Sequence, residues 1–223
     1  MISACFRAVL ALALSLLSWG TTMSDRADFH REHGFTLFEL VLTVSLVLVI
    51  GAISVPMSGN ALTQFRLSGD ARGVANTISV AKMRAAAHFS RTRVFVDLSD
   101  GSYYLETYDK DTSSWVSSGG TTHLSDGNSF GKESIENAPS NTQASIEQAA
   151  ACLDDDGETI GNSACVIFNS RGIPVDTTNT PTSNFALYIN NGETVFGATV
   201  SATGLIRLWR AQAVAGTATW MQQ

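Results

Sequence analysis

The 223-residue chain is poor in charge, proline and cysteine. Only 15% of its residues are Asp, Glu, Lys or Arg, and the 20 acids outnumber the 14 Lys and Arg, for a formal net charge of −6. A chain of that balance has no strong overall field to draw in nucleic acid. Low charge beside 44% hydrophobic residues excludes a disordered chain and describes an ordered protein carrying an apolar tract. No C-x-x-C pair, H-E-x-x-H helix, G-x-S-x-G elbow or phosphate-binding glycine loop occurs. Redox, zinc-hydrolase, serine-hydrolase and nucleotide chemistry therefore each lack their residue set. Beyond residue 34 the histidines are His88 and His123, and neither has a triad partner or metal set beside it. The expectation is a non-enzyme without cofactor or metal.

Of the three cysteines, Cys5 lies in the N-terminal extension, which leaves Cys152 and Cys165. Such a pair forms a disulfide in an oxidising compartment or stays as two thiols in a reducing one. A bridge of this loop length stabilises by about 3 kcal/mol in the chain-entropy description. The membrane reading below places the pair outside the cytoplasm, where the bridge is expected.

Long apolar runs, by contrast, are present. Ala8–Trp19 is about a dozen residues, too short to span a bilayer and similar to a signal h-region. Phe35–Val55 is 21 residues, which at 1.5 Å each reaches roughly 30 Å, a hydrocarbon core's thickness. Arg26, His30, Arg31 and His33 precede it, which favours a cytoplasmic N-terminal side. One acid, Glu39, interrupts the run. A carboxylate inside a membrane helix costs about 2.5–3.5 kcal/mol even on lenient insertion scales, so it reads as functional by default. Cutting after Gly34 would give Phe35 a free amine one helical turn from Glu39. Within one chain that geometry is only fair. Between neighbouring chains, Glu39 of one can pair with the Phe35 amine of the next and set assembly register.

Gly34-Phe35-Thr36-Leu37-Phe38-Glu39, followed by the apolar run and Pro56, resembles the type IV prepilin processing site. That resemblance implies a prepilin peptidase cutting after Gly34 and methylating the new Phe35 amine, with Glu39 and Pro56 at the family's glutamate and proline positions. Residues 1–34 then form the leader. Met23–Gly34 has the short, charged character of such leaders and Met1–Thr22 does not, so translation is expected to start at Met23. An unusually long leader is the alternative.

Past Pro56, Leu67, Ala71, Val74, Ile78, Ala81, Ala85 and Phe89 recur in steps of four and three, one face of a helix. This predicts a transmembrane helix over 35–56, loosened or kinked at Pro56, and an amphipathic stem over 57–91. A β-rich head over 92–223 follows. A hairpin is expected from Thr92 to Tyr108 around Ser99-Asp100-Gly101, and further strands in the C-terminal third around Asn191-Gly192 and Thr203-Gly204. Residues 111–163 read as a long loop region with one short helix near Ser145–Ala151. The fold class is α+β: a long N-terminal helix packed on antiparallel sheet.

Ala81-Lys82-Met83-Arg84 running into Arg93-Val94-Phe95-Val96, and Val166-Ile167-Phe168 with Arg171-Gly172-Ile173-Pro174, are similar to the GspH/FimT-like minor pseudopilins. This resemblance implies a pilin-like fold. It also implies a minor subunit of a type II secretion pseudopilus, single-pass in the inner membrane with a periplasmic head. The implied partners are other major and minor pseudopilins, the prepilin peptidase and the assembly platform. A type IV pilus subunit for adhesion or DNA uptake and a non-polymerising anchored binding domain are the alternatives. Some FimT-like proteins carry a basic motif after the last-strand glycine. Here Gly204-Leu205-Ile206-Arg207-Leu208-Trp209-Arg210 keeps Arg207, Trp209 and Arg210 but has Leu205 where an arginine is common, so nucleic-acid binding is not expected. Arg207 and Trp209 share one strand face and Arg210 takes the other. Asp154-Asp155-Asp156-Gly157-Glu158 departs from EF-hand spacing and reads as a solvated acidic turn.

Overall fold

A computed structural model of the chain describes residues 36–183 and 185–223, with backbone alone for 51–60. Gly34, Phe35 and the leader, Met23 included, lie outside the described residues. Two compact units result, and within the described residues they comprise 36–50 and 51–223.

Helix α1 runs from Leu37 to Ala87. Thr36 precedes it as N-cap: its hydroxyl accepts the Glu39 N–H at 3.2 Å and its carbonyl accepts the Leu40 N–H at 3.1 Å. Along Leu37–Ile50 the large apolar side chains are solvent-exposed, and the hydroxyls of Thr43 and Ser45 donate back to the carbonyls of Leu40 and Val41. Those internal bonds leave that stretch without unsatisfied hydroxyl groups, the condition a lipid environment sets. No helix is long and apolar enough to cross a membrane among the described residues. The expected span, 35–56, extends past Leu37–Ile50 at both ends. The helix continues through Pro56.

In the second unit α1 packs one face on two antiparallel sheets. Leu67, Ala71, Val74, Ile78, Ala81 and Ala85 are fully buried, as their spacing predicts. Burying each large member stabilises by about 1.5–3 kcal/mol. Phe89 departs from the expected stripe. The helix stops at Ala87, short of residue 91, and Phe89 takes a left-handed φ of 50° that turns its ring out to 72% exposure. Ser90 N–H then closes on the Ala85 carbonyl at 3.3 Å.

The first sheet contains β1 (Thr92–Asp97), β2 (Ser102–Asp109), β3 (Ser114–Ser117), β4 (Thr122–His123), β6 (Ser163–Phe168) and β7 (Pro174–Val175). Its order is β3-β2-β1-β6-β7, with β4 also paired to β2. The second contains β5 (Ser129–Phe130), β8 (Phe185–Asn190), β9 (Thr194–Val200), β10 (Ile206–Gln212) and β11 (Met221–Gln222), in the order β11-β10-β9-β8-β5. Val94, Val96, Val166 and Phe168 from one sheet and Leu187, Ile189, Ala198 and Val200 from the other meet the helix face in a single core. Lys82 holds the two sheets together at one side: its ammonium donates to the Gly204 carbonyl at 2.9 Å, and its stem lies against Gly172.

The expected 111–163 loop differs from its prediction in two ways. It contributes β3, β4 and β5, and no helix forms at Ser145–Ala151. That segment runs extended beside β8. Ala149 N–H donates to the Ala186 carbonyl at 2.8 Å, and the Gln148 amide bonds both the Tyr188 N–H and its carbonyl. Ile146 is buried with Ile135, Tyr188 and Ala218 on the sheet face away from α1.

Candidate assembly site

Glu39 sits in the first turn of α1, where a carboxylate also complements the helix dipole. Thr36-Leu37-Phe38-Glu39 has the spacing of a capping box, and the Thr36 half of that box is formed. The sequence reading missed this local role, although T-x-x-E before an apolar run is its signature. The Glu39 side chain is exposed and makes no hydrogen bond or ion pair among the described residues. Its acid is therefore available to a group outside residues 36–223.

Cys152 and Cys165 form a disulfide with Cα atoms 5.1 Å apart, both side chains buried. Between them the chain folds back on itself. Ile160 N–H donates to the Cys152 carbonyl at 2.8 Å, and Asp154 N–H to the Glu158 carbonyl at 2.9 Å. Asp154 Oδ1 accepts the N–H groups of Asp156 and Glu158, so the acidic stretch is a turn stitched by its own carboxylate. No group of three potential metal-ligating side chains converges among the described residues.

Arg207, Trp209 and Arg210 do not form one basic surface. Trp209 is buried, and its indole N–H donates to Thr199 Oγ1 at 3.0 Å, so its ring is not offered to a base. Arg207 lies on the same strand face as Trp209, opposite Thr199. Arg210 projects to the helix side, where it approaches Gln64 Oε1 at 3.5 Å and stands 6.0 Å from the Phe196 ring centre. His123 falls in β4, its ring 3.5 Å from the exposed Asp100 carboxylate.

The outer face of the first sheet carries a cluster that the sequence reading did not anticipate. Arg93 is buried, donates Nε to Glu106 at 2.5 Å and Nη1 to the Leu153 carbonyl at 2.6 Å, and stacks 4.1 Å from the Trp115 ring centre. Arg91 stacks 4.2 Å from Tyr108. Arg93 and Glu106 are direct cross-strand partners. Counting outward from the Ser99-Asp100-Gly101 turn in the sequence would have paired them. The disulfide loop completes this cluster, since Asp155 Oδ1 accepts the Trp115 N–H at 2.8 Å. Its groove, about 240 Å³, mixes two arginines with Asp154, Asp155 and Asp156. Elsewhere, burial pushes the Tyr188 and Tyr103 hydroxyls up from their ordinary pKa, with the Asp70 charge adding to the second. Both remain neutral and structural.

Fold and site together define an α+β protein with one long helix laid on two antiparallel sheets, carrying a disulfide and an uncovered acid at the helix start. No protein-family profile matches the chain, and no curated protein does. Among solved structures it is similar to the minor pseudopilin EPSH from the type II secretion system of Vibrio cholerae. That match has 15% identity and a TM-score of 0.42, covering 66% of this chain and 94% of that one. A second structure of the same minor pseudopilin matches at 12% identity and TM-score 0.35, covering 71% of this chain and 96% of that one.

Proposed function

We propose that the chain is a minor pseudopilin. It is a structural subunit that initiates or caps a type II secretion pseudopilus in protein export, not an enzyme. Prepilin peptidase cuts after Gly34 and methylates Phe35. The mature protein waits in the inner membrane with its head in the periplasm until the assembly platform draws it into the filament with other pseudopilins. The observation that carries this reading is the position of Glu39. Its carboxylate stands uncovered in the first turn of α1, beside the Gly34–Phe35 junction, on the same helix whose later residues form the core of the head. A neighbouring Phe35 amine is the group that satisfies it, and a stagger that strands the acid in lipid is penalised.

The capping role of Glu39 makes the test sharper. Glutamine at the third helical position still serves a capping box but carries no charge. Glu39→Gln should therefore leave the chain processed and membrane-inserted while reducing its recovery with filaments to the level of Glu39→Ala. Wild-type incorporation of Glu39→Gln would show that capping alone matters and would remove the register mechanism.

A further inference from the structure

We propose that the Cys152–Cys165 bridge is a redox latch. It holds the loop over 153–160 against the free edge of the first sheet, and a dithiol reductant releases that loop while the rest of the head stays folded. The inference goes beyond the pseudopilin reading and does not depend on it, since it concerns the head by itself.

Strand β3 ends the first sheet, so one side of its backbone has no neighbouring strand. Such an edge is a template on which another chain can add. Here it is covered. The Trp115 N–H, which points away from β2, donates to Asp155 Oδ1 at 2.8 Å. Asp155 belongs to the loop that the bridge closes. Two residues earlier in that loop, the Leu153 carbonyl accepts Arg93 Nη1 at 2.6 Å, on the sheet face where Arg93 stacks against Trp115. The loop therefore touches the edge strand and the buried arginine at once.

The loop is built to move as a unit. Leu153 pairs with Thr159, Asp154 Oδ1 accepts the N–H groups of Asp156 and Glu158, and residues 154–159 are exposed. Its ties to the sheet are the hydrogen bonds to Arg93 and Trp115, a bond from the Cys152 N–H to Ser163 Oγ at 2.9 Å, and half-buried Ile160 packed beside the bridge. A segment with so little buried apolar surface opens at low cost. The bridge, across a separation of 13 residues, favours the closed state by about a hundredfold. The chain just before it is anchored separately: Ile146 is buried, Ala149 N–H donates to Ala186, and Gln148 bonds Tyr188. Opening therefore stops at Cys152. In the exchange, a dithiol attacks as its thiolate and closes into its own cyclic disulfide. Cys152 and Cys165 take up the two electrons and two protons and become thiols. Both sulfurs are buried, so the dithiol meets them when the loop opens. Before oxidation the β3 edge is open, and bridge formation covers it.

The test is hydrogen exchange read by mass spectrometry on the full chain in detergent micelles, with Cys5→Ser to leave one cysteine pair. The oxidised chain is compared with the chain fully reduced by dithiothreitol. Reduction should speed exchange about a hundredfold in peptides over 153–160 and β3, while peptides over 145–150, β8 and β9 keep their rates. Unchanged rates over 153–160 and β3 after complete reduction would overturn the latch. So would an equal rise in β8 and β9, which would make the bridge a staple of the whole head. Asp155→Ala, at an exposed position, tests the link between loop and edge with the bridge intact. Exchange in β3 should then rise and that over 145–150 should not. A β3 peptide indifferent to Asp155→Ala would overturn the edge cover.

Discussion

Gly197 lies mid-strand in β9, opposite Tyr188 on one side and Trp209 on the other. A Cβ there would fall 2.7 Å from Tyr188 Cε1, and Tyr188 is fully buried under Trp220, 5.8 Å away between ring centres. The glycine is thus a seat for the tyrosine ring, the usual meaning of glycine in a strand interior. Gly197→Ala should cost about 1–3 kcal/mol in chemical denaturation, and an unchanged midpoint would mean the ring has room to move. Arg93 is the second single-residue dependence. Arg93→Ala leaves Glu106 buried without its cation and should cost about 3–5 kcal/mol, whereas Arg93→Met with Glu106→Leu should recover most of that loss. Equal losses in the single and double variants would place the cost in packing on Trp115. At this scale the sequence was partly legible. Strand parity separated Arg207 and Trp209 from Arg210, but parity cannot tell which face is covered. The face carrying Trp209 is covered, so the indole is buried where a reader of the motif would look for an exposed ring.

Among elements, α1 was the most legible. Its 3.6-residue stripe named the buried face from Leu67 to Ala85, because a helix packed on sheet hides one face and leaves the other in solvent. The stripe could not say where the helix ends. Phe89 fits the period yet lies beyond the last turn, in a conformation glycine adopts without strain. Ser90, whose hydroxyl donates to the Tyr108 carbonyl, and Lys110 Nζ, 2.6 Å from the Phe89 carbonyl, hold it there. Phe89→Gly should therefore raise stability by about 1 kcal/mol in thermal unfolding. A lowered midpoint would mean that the exposed ring supports the fold. The missing helix at Ser145–Ala151 has the opposite cause. Local composition favours a helix there, but Ile146 and Ala149 gain more by lying along β8, and Gln148 substitutes for a strand's backbone pair. Tertiary burial of that kind leaves no periodic trace in a short, alanine-rich segment. In sequence the two cysteines read either as a bridge or as two thiols, and the structure joins them, with Cα atoms 5.1 Å apart.

For the whole molecule, the α+β class and the order of helix before sheets could be read from the chain. The division of the eleven strands of the described residues between two sheets could not, because β3, β4, β5, β7 and β11 are two to four residues each and carry no alternation. The account of function depends on an event at the Gly34–Phe35 junction, outside the described residues. Under the proposed function, cleavage there would turn an acid that is costly in lipid into half of an intersubunit pair. The direct measurement is the mass and N-terminal residue of the protein recovered from the membrane of cells that make it natively. The account predicts an N-methylated phenylalanine corresponding to Phe35. Recovery of membrane protein with His33, Gly34 and Phe35 still joined would contradict it.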